Sequence, residues 1–253
     1  MKRFVVLFSM LIILGACTTE RSIDPENRKL ASELNAQLGL GYLKQGDFER
    51  ADKKLDKAIE FNPENADAHH FKAEIYRRMG DYEKAEKQYK IALDLAPKDS
   101  NILNNYGVYL CDRGEYQKAI TLFQSILADS FYTAKASAYE NIGLCELRQG
   151  KLGAAEQAFN QALVLDAKMA YSLLNLAQMR FDAGNKHDAY EYYTRYLQVA
   201  PQQTPESLWL GILLENDRGA KNAVSSYKVL LKGKYPDSKQ TKLLKKLEAQ
   251  GKL

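Results

Sequence analysis

The stretches "GDFERADKKLDKAIEFNP" (46–63) and "GDYEKAEKQYKIALDLAP" (80–97) are near copies of each other, set 34 residues apart. Aligned on Gly–Asp–aromatic, units of this kind begin near Ser32, Ala66, Ser100, Ala136, Ala170 and Thr204. Recurrence at one period is a strong constraint. A unit this short cannot bury its apolar face alone, so successive units must stack. The recurring residue types explain themselves by packing. Gly or Ala at the eighth position (Gly39, Ala73, Gly107, Gly143, Ala177, Gly211) lets a first helix approach a second closely. Ala at the twentieth (Ala51, Ala85, Ala119, Ala155, Ala189) does the same from the other side, and aromatic residues such as Tyr89, Phe123, Phe159 and Tyr193 fill the space between. Gly near the fifteenth position ends the first helix in a left-handed residue, and Pro63, Pro97 and Pro201 stop the second.

This pattern resembles the tetratricopeptide repeat, which implies an all-α, right-handed superhelical solenoid. The expected units are 32–65, 66–99, 100–135, 136–169, 170–203 and 204–237, closed by a C-terminal capping helix over 238–253. The aromatic and Ala stripes are then core and not a cofactor box. Departures mark irregular places. The third unit is two residues long, and "DSFYTAK" (129–135) lacks the terminating Pro, which predicts a local change of twist midway. Glu146 and Arg180 stand where other units carry Tyr, and the sixth unit shifts its turn glycine to Gly219.

The N-terminus reads differently. "MKR" is a positive start, "FVVLFSMLIIL" (4–14) is apolar, and "LGAC" (14–17) places small residues before a cysteine. Eleven residues are too few for a bilayer core of about 30 Å. The pattern is that of a lipoprotein signal peptide over 1–16, with Leu14-Gly15-Ala16 as lipobox and Cys17 as the acylated first residue. Thr18 follows where Asp would typically retain a lipoprotein in the inner membrane, so the expected location is the outer membrane, lipid-anchored on its periplasmic face. Residues 17–31, polar and without periodicity, are expected to be a tether. That leaves Cys111 and Cys145, an even pair 34 residues apart in an oxidising compartment, as either a disulfide between neighbouring first helices or two buried thiols. The pairing is the favoured reading.

Signs of chemistry are few. The formal charge of +4 falls to +2 once Lys2 and Arg3 are removed with the signal, which gives no footprint for nucleic acid. His69 and His70 are adjacent, without the spacing or acids of a metal site, and the recurrent glycines are helix ends and not a phosphate loop. Carboxylates sit beside Lys at helical spacing, as surface pairs do. No nucleophile–base set emerges, so an enzyme, a cofactor and a metal are not expected. The tail "KGKYPDSKQTKLLKKLEAQGKL" (232–253) holds seven Lys against Asp237 and Glu248. It reads as a solvated closing helix or as a basic face for anionic lipid or an acidic partner.

In a tetratricopeptide solenoid, positions two, five, nine, twelve and thirteen of the first helix line the concave face. Here these are Glu33, Ala36, Leu40, Leu43 and Lys44 in the first unit, and Asp67, His70, Glu74, Arg77 and Arg78 in the second. In the third they are Asn101, Asn104, Val108, Cys111 and Asp112. Leu40 and Leu43 are expected to form an apolar slot rimmed by charge, unless the tether folds back over them. The chaperone-tail clamp wants Lys and Asn where Ala36 and Leu40 stand, so that function is not expected. The lipobox, six units and "NNYGVYLCDRGEYQKAI" (104–120) together resemble the PilF/PilW type IV pilus biogenesis lipoproteins. The resemblance implies a monomeric pilotin. It would bind the secretin subunit of the pilus, with other pilus assembly proteins as further partners, and promote secretin insertion and multimerisation in the outer membrane. The alternative is another outer-membrane repeat lipoprotein that scaffolds β-barrel assembly or cell-wall enzymes.

Overall fold

The computed structural model describes residues 24–253, and over these the chain forms thirteen helices. The signal peptide, Cys17 and the first part of the expected tether lie outside the described residues. Twelve helices form six antiparallel pairs: α1 Pro25–Lys44 with α2 Phe48–Phe61, α3 Ala66–Met79 with α4 Tyr82–Leu95, and α5 Ser100–Asp112 with α6 Tyr116–Leu127. They continue as α7 Lys135–Arg148 with α8 Leu152–Leu165, α9 Ala170–Asp182 with α10 Lys186–Val199, and α11 Pro205–Asp217 with α12 Lys221–Lys234. The last helix, α13 Lys239–Ala249, packs on α11 and α12. No described helix is long and apolar enough to cross a membrane.

Helix ends are set by the residues the repeat supplies. Asp47, Asp81 and Asn185 cap α2, α4 and α10 by accepting the backbone N–H three residues on. The turn after α3 is closed by Gly80 at φ +79°, a conformation that L side chains rarely adopt. Close packing within a pair is visible at Gly107 and Gly143, where an added Cβ would lie 2.7 Å and 2.6 Å from the rings of Phe123 and Phe159. Tyr89, Phe123, Phe159 and Tyr193 are the largest fully buried side chains, one on each of α4, α6, α8 and α10, each in the space between helices.

The expectation of a tether through residue 31 is corrected, because α1 begins at Pro25. Pro at the first helical position and Glu26 in the first turn favour a helix start. Arg28 fixes the added turns by donating to the carbonyls of Glu60 (3.0 Å) and Phe61 (3.3 Å) at the end of α2. The long third unit appears as a seven-residue connection over 128–134, in which Tyr132 packs on the core while Phe131 is 93% exposed. Where an aromatic is missing, charge bridges the helices: Arg180 pairs with Glu156 of α8.

Candidate partner-binding groove

The first helix of each pair lies against the first helix of the next, so α1, α3, α5, α7, α9 and α11 together form the inner face. The residues expected to line it divide. Ala36 and Leu43 are 1% and 2% exposed and belong to a core with Ala51, Leu55, Ala58, Ala68 and Ile75, against which Leu40 is also partly packed. The apolar slot expected from Leu40 and Leu43 is therefore not a surface, because that side of α1 is closed by α2 and α3. Lys44 is exposed at the end of α1.

Exposed apolar area on α1 belongs instead to Leu30, Leu34 and Leu38, at 52%, 57% and 50%. Their spacing of four puts them on one ridge. The reason is the position of the repeat and not its type. Position three is fully buried in the next four units, as Ala68, Ile102, Ala138 and Ser172, because a preceding unit covers it. Position seven is likewise buried as Lys72, Tyr106, Ile142 and Leu176. Among the described residues nothing precedes α1, so Leu34 and Leu38 face outward. The ridge was readable as "LASELNAQL" (30–38), but only once α1 is allowed to start before Leu30.

Beside this ridge lies an open recess of 560 Å³, lined by Leu30, Glu33, Leu34, Gln37, Asp67 and Asp99. On α1 its wall carries Leu30 and Leu34 beside Lys29 and Glu33, and acidic groups face it from Asp67 at the start of α3 and Asp99 ahead of α5. Desolvation holds the Asp67 carboxyl above its ordinary value, and the neighbouring Asp99 and Glu33 charges push the same way.

Of the other expected residues, His70 and Glu74 are buried and not free to meet a partner. The His70 ring lies near the rings of Phe71 and Tyr89, with Nε2 2.8 Å from Asn105 Nδ2, while Nδ1 has no partner among the described residues. Burial holds its pKa below the ordinary value against the pull of Glu74, Asp67 and Asp99. Glu74 receives Arg77 at 2.9 Å and 3.2 Å as well as the Tyr89 hydroxyl. Burial would raise its carboxyl, but these hydrogen bonds outweigh it and leave the pKa below the ordinary value. Arg77 is partly exposed and reaches Asp112 of α5 at 3.6 Å, and Asp112 in turn accepts from Arg148 of α7 at 2.7 Å. A second polar chain runs alongside, from Asn141 Nδ2 to Asn104 and from Asn104 to Asn105. These two chains tie three inner helices together, and Asn141 and Arg148 were not singled out from sequence.

Cys111 and Cys145 are joined as a disulfide between α5 and α7, with Cα atoms 5.7 Å apart. A cavity of 80 Å³ lies beside it, with Arg148 Nη1 3.8 Å from Cys111 Sγ. On α10, ligand atoms of His187, Asp188 and Glu191 lie within 4.8 Å of one another. His187 and Glu191 are exposed and face each other at 3.6 Å, the geometry of a surface pair one helical turn apart.

Stacked helix pairs with this residue pattern define a tetratricopeptide-repeat solenoid, and the tetratricopeptide family matches residues 37–100 and 142–207, with a further match over 98–168. The type IV pilus assembly protein PilF of Pseudomonas aeruginosa is 30% identical over 240 residues, 93% of this chain and 95% of its own length. A solved structure of P. aeruginosa PilF superposes with a TM-score of 0.77 at 30% identity, covering 86% of this chain and 98% of that one. A crystal structure of PilW, described as a widely conserved type IV pilus biogenesis factor, gives 0.74 at 28% identity, covering 84% and 97%. The chain belongs to the PilF/PilW family of tetratricopeptide-repeat proteins.

Proposed function

We propose that this protein is a pilotin of the type IV pilus. It is carried to the outer membrane by acyl chains on Cys17, binds the unassembled secretin subunit in the periplasm, and promotes its insertion and assembly into the multimeric pore. The observation that carries this reading is likeness to a type IV pilus assembly protein over 93% of the chain. The Leu30–Leu34–Leu38 ridge supports it, since the described residues leave it exposed and a partner segment can cover it as a preceding repeat would. Glu33, Glu64, Asp67 and Asp99 beside that ridge outnumber Lys29 and favour a segment that is apolar with a basic residue at its edge. Such a role needs no turnover, only higher affinity for a free subunit than for an assembled one and an anchor that delivers it.

The test is deletion of the gene, followed by measurement of SDS-resistant secretin multimers beside bulk outer-membrane porins. Loss of multimers with normal porins is the expected result. Intact multimers would overturn the reading, and loss of both would move the protein to general β-barrel assembly. Leu34→Asp with Leu38→Asp, which leave the core untouched, should weaken secretin capture while the melting temperature holds.

A further inference from the structure

The charge of this chain is not spread evenly. Residues 24–220 carry 24 Lys and Arg against 29 acids, whereas residues 221–253 carry nine Lys and no Arg against Asp237 and Glu248. Two of those nine are spent inside the fold: Lys228 and Lys232 reach Glu248 at 3.5 Å and 2.6 Å and so join α12 to α13. Thr241 and Leu244 are buried and fix which side of α13 packs. The remaining surface presents Lys239, Lys242, Lys245 and Lys246, all exposed and none in an ion pair among the described residues, with Leu243 42% exposed at their flank.

We propose that this outer face of α13 docks on anionic phospholipid. A capping helix needs only a polar outer face to keep a solenoid soluble. It does not need four like charges within eight residues, which repel one another until a counter-charge is supplied. The counter-charge is diffuse and not a single carboxylate. Specific carboxylate recognition favours the planar fork of Arg, and this chain carries nine Arg over residues 24–220 and none on this face. Lysine is a point charge on a flexible stem, suited to a lawn of phosphates without fixed register, and Leu243 can enter the apolar layer beneath them. A basic patch of this kind becomes effective when it adds to a second attachment. The inference stands on α13 alone and does not require the pilotin reading.

The test uses residues 24–253, which contain every described helix and all five described core clusters, with a thermal melt to confirm folding. Sedimentation is measured with phosphatidylcholine vesicles, with and without phosphatidylglycerol, and binding to polyglutamate is measured at matched charge. Each lysine near an anionic surface contributes about fivefold in partition before screening. Reversal of four (Lys239→Glu, Lys242→Glu, Lys245→Glu, Lys246→Glu) should therefore lower affinity for the phosphatidylglycerol vesicles by tenfold or more. A control with the same net charge (Lys53→Glu, Lys57→Glu, Lys87→Glu, Lys98→Glu) should keep affinity within about twofold. Leu243→Ser should weaken vesicle binding and leave polyglutamate binding unchanged. The proposal falls if the control loses as much as the α13 variant, or if vesicles without phosphatidylglycerol bind equally. It falls too if no vesicle binds, or if polyglutamate binds more tightly than vesicles, which would give the face to an acidic protein.

Discussion

Leu34 and Leu43 stand nine residues apart on one helix and should answer substitution in opposite ways. Leu43, 2% exposed, packs among Ala51, Leu55 and Ile75, so Leu43→Asp leaves a buried charge without a partner and should cost more than about 3 kcal/mol. Leu34, 57% exposed, makes no such demand, and Leu34→Asp should change stability by less than about 0.5 kcal/mol. Urea denaturation of the two variants checks the pair, and equal effects would mean that α1 packs differently. His70 gives a prediction in pH. Its ring is held below the ordinary value of 6.5, so over the interval beneath 6.5 the unfolded chain binds a proton that the folded chain refuses. The His70 contribution is then fully present above about pH 6.5 and is lost as pH falls through the folded-state pKa. Glu74, held below its ordinary value of 4.5, adds loss in the same direction at more acid pH. The groups facing His70 are Glu74 and Asp67 on its own helix, Asp99 ahead of α5, and Asn105 on α5. The urea midpoint should drop from neutral pH toward pH 5.5, and His70→Gln should flatten that slope; an unchanged slope in the variant would count against it.

At the scale of the helix, the glycines sort by what a methyl group would meet. Gly107→Ala and Gly143→Ala drive a Cβ into the faces of Phe123 and Phe159, and each should destabilise by about 1–3 kcal/mol. Gly41 lies inside α1 with nothing within 4 Å, so Gly41→Ala should stabilise by about 0.5–1 kcal/mol through helix propensity. Thermal melts of the three separate close packing from mere tolerance. These same residues show how much of the fold the chain spells out. Gly, Ala, aromatic and Pro positions act through contacts inside a unit or between neighbours, so a single period reveals them. The early start of α1 had a local signal in Pro25 and Glu26, but it lies ahead of the first repeat, and the Arg28 contacts that hold it reach carbonyls 32 and 33 residues away. The burial of Ala36, Leu43, His70 and Glu74 was hidden for a related reason. Position within a repeat says which way a side chain points, but closeness of the neighbouring helix decides whether a partner can reach it. The disulfide belongs to this scale too. It closes a 34-residue separation between α5 and α7, and its reduction should cost about 3–4 kcal/mol in the chain-entropy account. A denaturation midpoint unchanged by reductant would contradict that contribution.

Across the whole molecule, the two ends of the solenoid are treated differently, and this asymmetry is where function was least legible. A repeat stack always leaves two unfinished faces, since each unit relies on a neighbour to cover positions three and seven. At the N-terminal end the described chain leaves the face open, with three leucines outward beside Glu33, Asp67 and Asp99. At the C-terminal end α13 closes it: Leu244 joins Leu208, Ile212, Val224 and Leu231 in one core, and the Thr241 hydroxyl donates to the Tyr235 carbonyl at 2.7 Å. The period cannot distinguish an end that is finished by the chain from one left for a partner, because the same residue types occupy both. Deletion of residues 238–253 should therefore expose Leu208, Ile212 and Leu231 and increase self-association relative to the full chain. A truncation at the other end, removing residues 24–31, takes away Leu30 and the Arg28 contacts but no buried apolar residue. It should leave a folded monomer of slightly lower melting temperature. Size-exclusion chromatography of the two truncations decides the matter. Self-association on loss of α13, beside an unchanged state on loss of the first helical turns, means that the C-terminal face needs the cover of its own chain while Leu34 and Leu38 need none from residues 24–31.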